Sequence, residues 1–137
     1  MNIKIIGVVG AGTMGNGIVQ VCAAAGLKVI MQDIGEAQVE RGLTTIAGSL
    51  DRLIKKDKIS EQDKQSTLAN ISTTTALADL ADTDIVIEAA TENEAIKLDI
   101  FRQLDELCQP HTILASNTSS ISLTRIAGAT QRAEQVI

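Results

Sequence analysis

Apolar positions along this chain switch repeatedly between short continuous runs and a helical repeat. Residues 3–9 are mostly apolar and stop at a glycine, the pattern of a buried strand. Met14, Ile18, Val21, Cys22 and Ala25 then recur at i, i+4, i+7, i+8 and i+11, one face of a helix that Gly26 closes. Residues 27–32 give a second apolar strand, ended by Asp33. Across residues 36–58, Val39, Leu43, Ile46, Leu50 and Leu53 repeat at alternating four- and three-residue steps, which predicts a long amphipathic helix. Ser60-Glu61-Gln62-Asp63 has the form of a capping box, so a second helix is expected to about Asn70. Further on, residues 71–75 and 84–88 read as strands, with one turn of helix at 77–80 between them. The latter strand, Asp84-Ile85-Val86-Ile87-Glu88, is of the buried parallel type. A helix over 94–108 is expected to turn Ile96, Ile100, Leu104, Leu107 and Cys108 inward, and Pro110 ends it. Residues 111–115 give another strand, 121–127 a short helix, and 135–137 the start of one more strand.

Strand and helix therefore alternate, and the connection between the first two strands carries chemistry. Gly10-Ala11-Gly12-Thr13-Met14-Gly15 is a GxGxxG turn lying between a strand and a helix. Each glycine has its own reason: Gly10 for the tight turn, Gly12 for approach of a pyrophosphate, Gly15 for close packing of helix on sheet. Asp33 ends the second strand about 20 residues on, where such a turn pairs with a carboxylate for a ribose 2′-hydroxyl. No Arg directly follows Asp33, so a 2′-phosphate would meet a negative charge without a partner, and NAD is expected over NADP. The predicted fold is α/β: a Rossmann-type, doubly wound, mostly parallel sheet. A helical hairpin is inserted between strands 2 and 3, and residues 1–137 form one NAD-binding domain.

Composition narrows the picture. Apolar residues make up 45 % of the 137, yet Phe101 is the single aromatic, so the core must be aliphatic. A net charge of −5 without a long basic stripe argues against nucleic acid. The first strand starts almost at Met1, leaving no room for a signal peptide, and no apolar run approaches a membrane span. A cytoplasmic protein is expected, with Cys22 and Cys108 as reduced thiols. No Cys or His cluster has metal-ligand spacing, so no metal is expected.

Three further stretches are candidates for chemistry. On the hairpin, Ser49, Arg52 and Lys56 fall on one line beside the apolar stripe. They read either as a solvated face favouring the helix C-terminus or as a landing site for an anionic substrate handle. Ala89-Ala90-Thr91-Glu92-Asn93 follows a strand end with small and then polar residues, where a cofactor would lie. Ser116-Asn117-Thr118-Ser119-Ser120 gathers hydroxyls and an amide at the next strand end. Lys97 stands near the start of a helix, a poor place for a cation unless something negative lies close. His111, the only histidine, precedes a strand and so belongs to the edge of the sheet opposite the ligand. Hydride transfer at an alcohol carbon needs a general acid/base, and no histidine in the chain is placed to serve.

Taken together, Val8 to Gly15, Ile87-Glu88-Ala89-Ala90-Thr91-Glu92-Asn93 and Ala115-Ser116-Asn117-Thr118-Ser119-Ser120-Ile121-Ser122 resemble the 3-hydroxyacyl-CoA dehydrogenases, in particular the bacterial 3-hydroxybutyryl-CoA type. The resemblance covers the whole chain, hairpin included. It implies an oxidoreductase of fatty acid metabolism that moves a hydride reversibly between NAD and the 3-hydroxyl carbon of a short acyl-CoA. It also implies that Gly10, Ala11, Gly12, Thr13, Met14 and Gly15 bind the pyrophosphate and that Asp33 binds the adenosine ribose. Glu92, Lys97 and Ser119 would lie along the nicotinamide half, with Ser119 also hydrogen-bonding the substrate's 3-oxygen. Ser49 and Lys56 would contact coenzyme A, a role that suits a Lys ammonium facing a phosphate. The family's catalytic histidine and helical C-terminal domain, with its homodimer contacts, would fall beyond Ile137, so the 137 residues are expected to be inactive alone. The competing reading is a non-catalytic NAD(H)-sensing Rossmann module, which would need neither the Ser119 cluster nor the basic hairpin. A methyltransferase using the glycine loop for S-adenosylmethionine accounts for Asp33 but not for the other motifs.

Overall fold

A computed structural model describes residues 2–117 and 123–137. Five strands, β1 (Ile5–Val9), β2 (Lys28–Gln32), β3 (Ile71–Thr74), β4 (Ile85–Glu88) and β5 (Ile113–Ser116), form one sheet in the order β3-β2-β1-β4-β5. Every pairing is parallel. Val136 adds a parallel bridge to Leu114, with Ile137 N–H donating to the Leu114 carbonyl at 2.9 Å, so the chain's last residues pair alongside β5. Gln135 itself closes a 3-10 turn, Ala133–Gln135.

Alternate residues of each strand feed two separate cores. Ile6, Val8, Val29 and Met31 pack with α1 (Thr13–Ala24) and α2 (Glu36–Lys55). Val9, Val86 and Leu114 pack on the other side with Phe101 and Leu104 of α4 (Glu94–Leu107) and Ile126 of α5 (Leu123–Gly128). The hairpin is as the periodicity predicts: Val39, Ile46 and Leu50 are buried, with Leu43 and Leu53 packed beside them. Asp57 adopts φ 55°, a left-handed conformation that stops α2 three residues short of the expected end. Ser60 and Asp63 make the reciprocal capping-box bonds at 3.0 and 2.9 Å that open α3 (Glu61–Ala69).

Two helical faces differ from expectation. In α1 the buried residues are Gly15, Asn16, Val19 and Ala23, whereas Met14 is 57 % and Val21 70 % exposed. The cause is Gly15: its Cα lies so near the Gly10 carbonyl that this side must face the sheet, and Val19 and Ala23 follow at i+4 and i+8. In α4 the inward line is Lys97, Phe101, Leu104 and Cys108, leaving Ile96 and Leu107 at the surface. Arg132, unremarked in the sequence, is buried under the end of α4. Its guanidinium donates to Asp105 Oδ1 at 2.6 Å and to the carbonyls of Asp105, Cys108, Gln109 and Thr112. One cation thus satisfies helix-end carbonyls that would otherwise be orphaned.

His111 lies at the amino edge of the sheet, its Nε2 3.1 Å from Asp84 Oδ1. Asp84 Oδ2 accepts from the backbone N–H groups of Lys4 (2.8 Å) and Ile5 (3.0 Å), tying the starts of β1 and β4 together. These backbone bonds, then the His111 bond, lower the Asp84 pKa. A carboxylate depressed in the folded state stabilises above its unfolded pKa, and that contribution disappears as pH falls through the folded value. Asp84→Asn keeps the acceptor and loses the charge. Urea midpoints should therefore fall below wild type at neutral pH, with the gap closing as acid protonates Asp84 below the ordinary carboxylate range. An equal gap at all pH values would contradict this.

Candidate functional site

The carboxyl ends of β1 and β4 adjoin where the strand order reverses, the crevice in which doubly wound sheets bind ligands. The glycine turn sits there. Gly10 has φ +110°, and a Cβ on it would come 2.9 Å from the Ala89 carbonyl oxygen and the Ala90 Cα, so both its conformation and its neighbours demand glycine. A Cβ on Gly15 would stand 1.8 Å from the Gly10 carbonyl oxygen. Gly12 is different. It caps α1 at an unstrained φ of −71°, and a Cβ there would meet nothing within 4 Å. Packing leaves this position open, and glycine also suits a helix N-cap. The open backbone leaves room for a ligand, and the α1 N-terminus, without a side-chain cap, presents its N–H groups to the same space. The residues present therefore fit a dinucleotide pyrophosphate.

Asp33 organises the turn from β2. Its Oδ2 accepts from Ala11 N–H at 2.8 Å and its Oδ1 from Ile34 N–H at 2.7 Å. Asn16, which the sequence patterns do not single out, is buried beneath the turn and donates to the carbonyls of Gly12 (2.7 Å) and Ala11 (3.3 Å). Two cavities meet at Asp33. One, of about 250 Å³, is apolar and lined by Ile34, Leu77, Ala90, Ile96 and Ile100. Ile34 is 85 % exposed and Ile96 53 %, apolar side chains left at the mouth of a slot suited to a flat ring. The other, of about 330 Å³, lies between Gly12–Thr13 and α2, with the polar side chains of Asn16, Gln38, Arg41 and Thr45 in its wall. Arg41 corrects the expectation that no cation stands near Asp33: it comes from the next helix, eight residues on, rather than from the residues directly after the strand.

Lys97 and Glu88 explain one another. Both side chains are fully buried and form an ion pair, the negative partner that the position of Lys97 called for. Glu88 Oε2 also accepts from Ala90 N–H (2.8 Å) and Thr91 N–H (3.3 Å). The pair thereby fixes residues 89–91, the segment against which Gly10 packs. As placed, Lys97 faces Glu88 inside the protein rather than an open ligand surface. Glu92 is exposed on the loop before α4, whose first turn Asn93 caps through Ile96 N–H at 3.0 Å. Ser119 lies outside the described residues. Ser49 is half-buried and Lys56 exposed at the end of α2; neither lines the two cavities at Asp33. They share a helical line with Arg41 and Thr45, so a polar stripe runs from the glycine turn to the hairpin tip.

Both cysteines are free, Cys22 partly exposed on α1 and Cys108 in the core, and burial raises both thiols. Among the described residues, no group of three His, Cys, Asp or Glu could hold a metal ion, and no helix is long and apolar enough to cross a membrane.

Residues 5–137 match the family described as "3-hydroxyacyl-CoA dehydrogenase, NAD binding domain". The chain is 46 % identical over 135 residues to 3-hydroxybutyryl-CoA dehydrogenase of Bradyrhizobium diazoefficiens, covering 98 % of this chain and 46 % of that protein. The crystal structure of (S)-3-hydroxybutyryl-CoA dehydrogenase from Ralstonia eutropha superposes with a TM-score of 0.97 at 55 % identity, covering 99 % of this chain and 48 % of that one. A lactate dehydrogenase from Eimeria maxima, at 15 % identity and a TM-score of 0.65, shares the fold alone. The chain spans about half the length of the 3-hydroxybutyryl-CoA dehydrogenases it matches. By the glycine turn, the sheet order and this match over nearly every residue, the chain belongs to the 3-hydroxyacyl-CoA dehydrogenases, as their NAD-binding domain.

Proposed function

We propose that residues 1–137 are the cofactor-binding domain of a 3-hydroxybutyryl-CoA dehydrogenase that interconverts a short 3-hydroxyacyl-CoA and its 3-keto form. The observation that carries this is the glycine turn itself: Gly10 and Gly15 bring the start of α1 against the sheet, and at Gly12 the backbone stands open with nothing within 4 Å of a built Cβ, leaving room for a pyrophosphate. Residues Gly10 to Gly15 cradle the pyrophosphate with backbone N–H groups and the α1 dipole, and Asp33 accepts from the adenosine ribose. The apolar slot of Ile34, Ile96 and Ile100 takes the adenine. Bound NAD supplies the hydride acceptor. Glu92 and Ser119 line its nicotinamide half, while Lys97 acts there through Glu88 and the 89–91 segment. Ser119 donates to the substrate's 3-oxygen and orients it. Ser49 and Lys56, at the outer end of the polar stripe, hold the coenzyme A handle. The base that moves the hydroxyl proton is supplied from outside these residues, since His111 is engaged with Asp84 at the opposite edge. A cytoplasmic homodimer, assembled through the second half that the relatives possess, completes this reading.

The test joins residues 1–137 to the second half of the Ralstonia eutropha enzyme and follows NADH-linked reduction of acetoacetyl-CoA. The joined protein should turn over, and residues 1–137 alone should not. Ser119→Ala should lower kcat on the order of a hundredfold. Lys56→Ala should raise the KM for acetoacetyl-CoA about three- to fivefold, as loss of one exposed charge contact implies. A joined protein that binds NADH without turnover would instead favour an NAD(H)-sensing module.

A further inference from the structure

Parallel strands share no hairpin, so the register of Val136 and Ile137 beside β5 is set by something other than a tight turn. Arg132 is placed to set it. A guanidinium carries five N–H donors in a fixed fork, and here all five are used. Nε donates to Asp105 Oδ1 (2.6 Å), one terminal nitrogen to the carbonyls of Gln109 (2.7 Å) and Thr112 (3.0 Å), and the other to those of Asp105 (2.9 Å) and Cys108 (3.3 Å). The grip covers the end of α4 and the loop that enters β5 at Ile113. The backbone of the same residue begins the approach to the last strand. The Arg132 carbonyl accepts from Gln135 N–H at 2.8 Å, closing the 3-10 turn whose next residue is Val136. Asp105 Oδ2 accepts from Gln131 N–H (2.7 Å), and Gln135 Nε2 donates to the carbonyls of Pro110 (2.8 Å) and Thr112 (3.2 Å). Both strands are thus held from one point. Beyond it Ile137 N–H meets the Leu114 carbonyl at 2.9 Å, and Ser116 N–H the Ile137 carbonyl at 2.8 Å.

Register matters because of where the strand heads. Parallel to β5, the backbone at Ile137 runs toward the carboxyl edge of the sheet, where the glycine turn and residues 89–93 lie. A slip of one residue would turn each following side chain to the opposite face. We propose that Arg132, together with Asp105, is a positioning residue for the dehydrogenase reaction: it fixes the register of the last strand on β5 and thereby aims the catalytic base at the ligand crevice. This inference rests on the proposed function, in which that base comes from outside these residues; the clamp on the register does not depend on it.

Amide hydrogen exchange in the 137-residue chain tests the clamp, and kinetics of the joined protein test its catalytic consequence. Lysine keeps the charge but loses the fork. In Arg132→Lys the Ile137 and Ser116 amides should therefore exchange about tenfold faster, while the Gly10 and Ala89 amides and the NADH dissociation constant stay within about twofold of wild type. In the joined protein Arg132→Lys should lower kcat about tenfold and leave the KM values for NADH and acetoacetyl-CoA within about twofold, because a misaimed base slows the chemical step and not binding. Gln135→Ala removes only a half-buried side chain and keeps the test open if Arg132→Lys does not fold. It should move the same amides and kcat in the same direction by about threefold. Faster exchange with kcat unchanged overturns the positioning role. Unchanged amides in a folded Arg132→Lys chain, or in Gln135→Ala where that chain does not fold, overturn the clamp. NADH affinity lost in step with kcat also overturns it, since the whole domain is then disturbed. A joined wild-type protein without turnover overturns the proposed function and the catalytic role with it, and the amides still decide the clamp.

Discussion

Lys97→Met is expected to destabilise the chain by about 3–5 kcal/mol, because it leaves the Glu88 carboxylate buried without its cation. The two backbone N–H groups that Glu88 accepts from cannot replace a full positive charge. Against a total stability on the order of 5–15 kcal/mol, that loss lowers the urea midpoint by roughly 1–3 M. Removing both charges should cost much less, since the penalty lies in the orphaned charge more than in the lost attraction. Glu88→Gln combined with Lys97→Met is therefore expected to recover most of the midpoint: glutamine keeps an acceptor for Ala90 and Thr91, and methionine fills the lysine's volume. NADH binding should stay weakened in the double variant, because the 89–91 segment that Gly10 packs against has lost its charged anchor. A midpoint unchanged in Lys97→Met would mean that the pair is open to water. A double variant no more stable than the single one would mean that the lysine's packing, and not its charge, matters.

The glycine turn yields the second large effect. Gly15→Ala would place a methyl group 1.8 Å from the Gly10 carbonyl oxygen, a backbone atom with no rotamer in which to retreat. Helix and turn must separate by more than an ångström, so NADH binding should be lost and stability should fall by about 3 kcal/mol or more. Gly12→Ala is the contrast. Its methyl group enters open space, so the thermal midpoint should correspond to a change within about 1 kcal/mol, while NADH binding is lost as completely. The pair of variants separates a glycine required by the protein from one required by the ligand. Equal destabilisation by both, or NADH binding retained in Gly12→Ala, would contradict the site as described.

Much of this architecture is legible in the sequence, for identifiable reasons. β1, α1 and β2 announce themselves through apolar runs and glycines, and the hairpin through its unbroken apolar period and capping box. The faces of α1 and α4 are legible only in part: Ile18, Cys22, Ile100, Leu104 and Cys108 pack against the cores as expected, but periodicity does not show which edge of the apolar stripe is buried. In α1 a glycine contact outweighs Met14 and Val21, and in α4 an ion pair draws Lys97 in and leaves Ile96 out at the apolar slot. A lysine in an otherwise inward position, with a glutamate ending the preceding strand, was the available signal for that pair. Arg132 and Asn16 have no such signal, since their partners are backbone carbonyls that only the folded chain assembles. Arg41 carries no local signal either, since it stands eight positions beyond Asp33 and only the fold of α2 brings it to the same cavity.

In the proposed site, NAD is held through the glycine turn and Asp33. The most direct measurement is a fluorescence titration of NADH, with NADPH in parallel, into the 137-residue chain and into its Asp33→Ala variant. Saturable NADH binding, weaker NADPH binding and at least tenfold weaker NADH binding in the variant are expected. A chain with a folded circular-dichroism spectrum that binds neither dinucleotide would contradict that site.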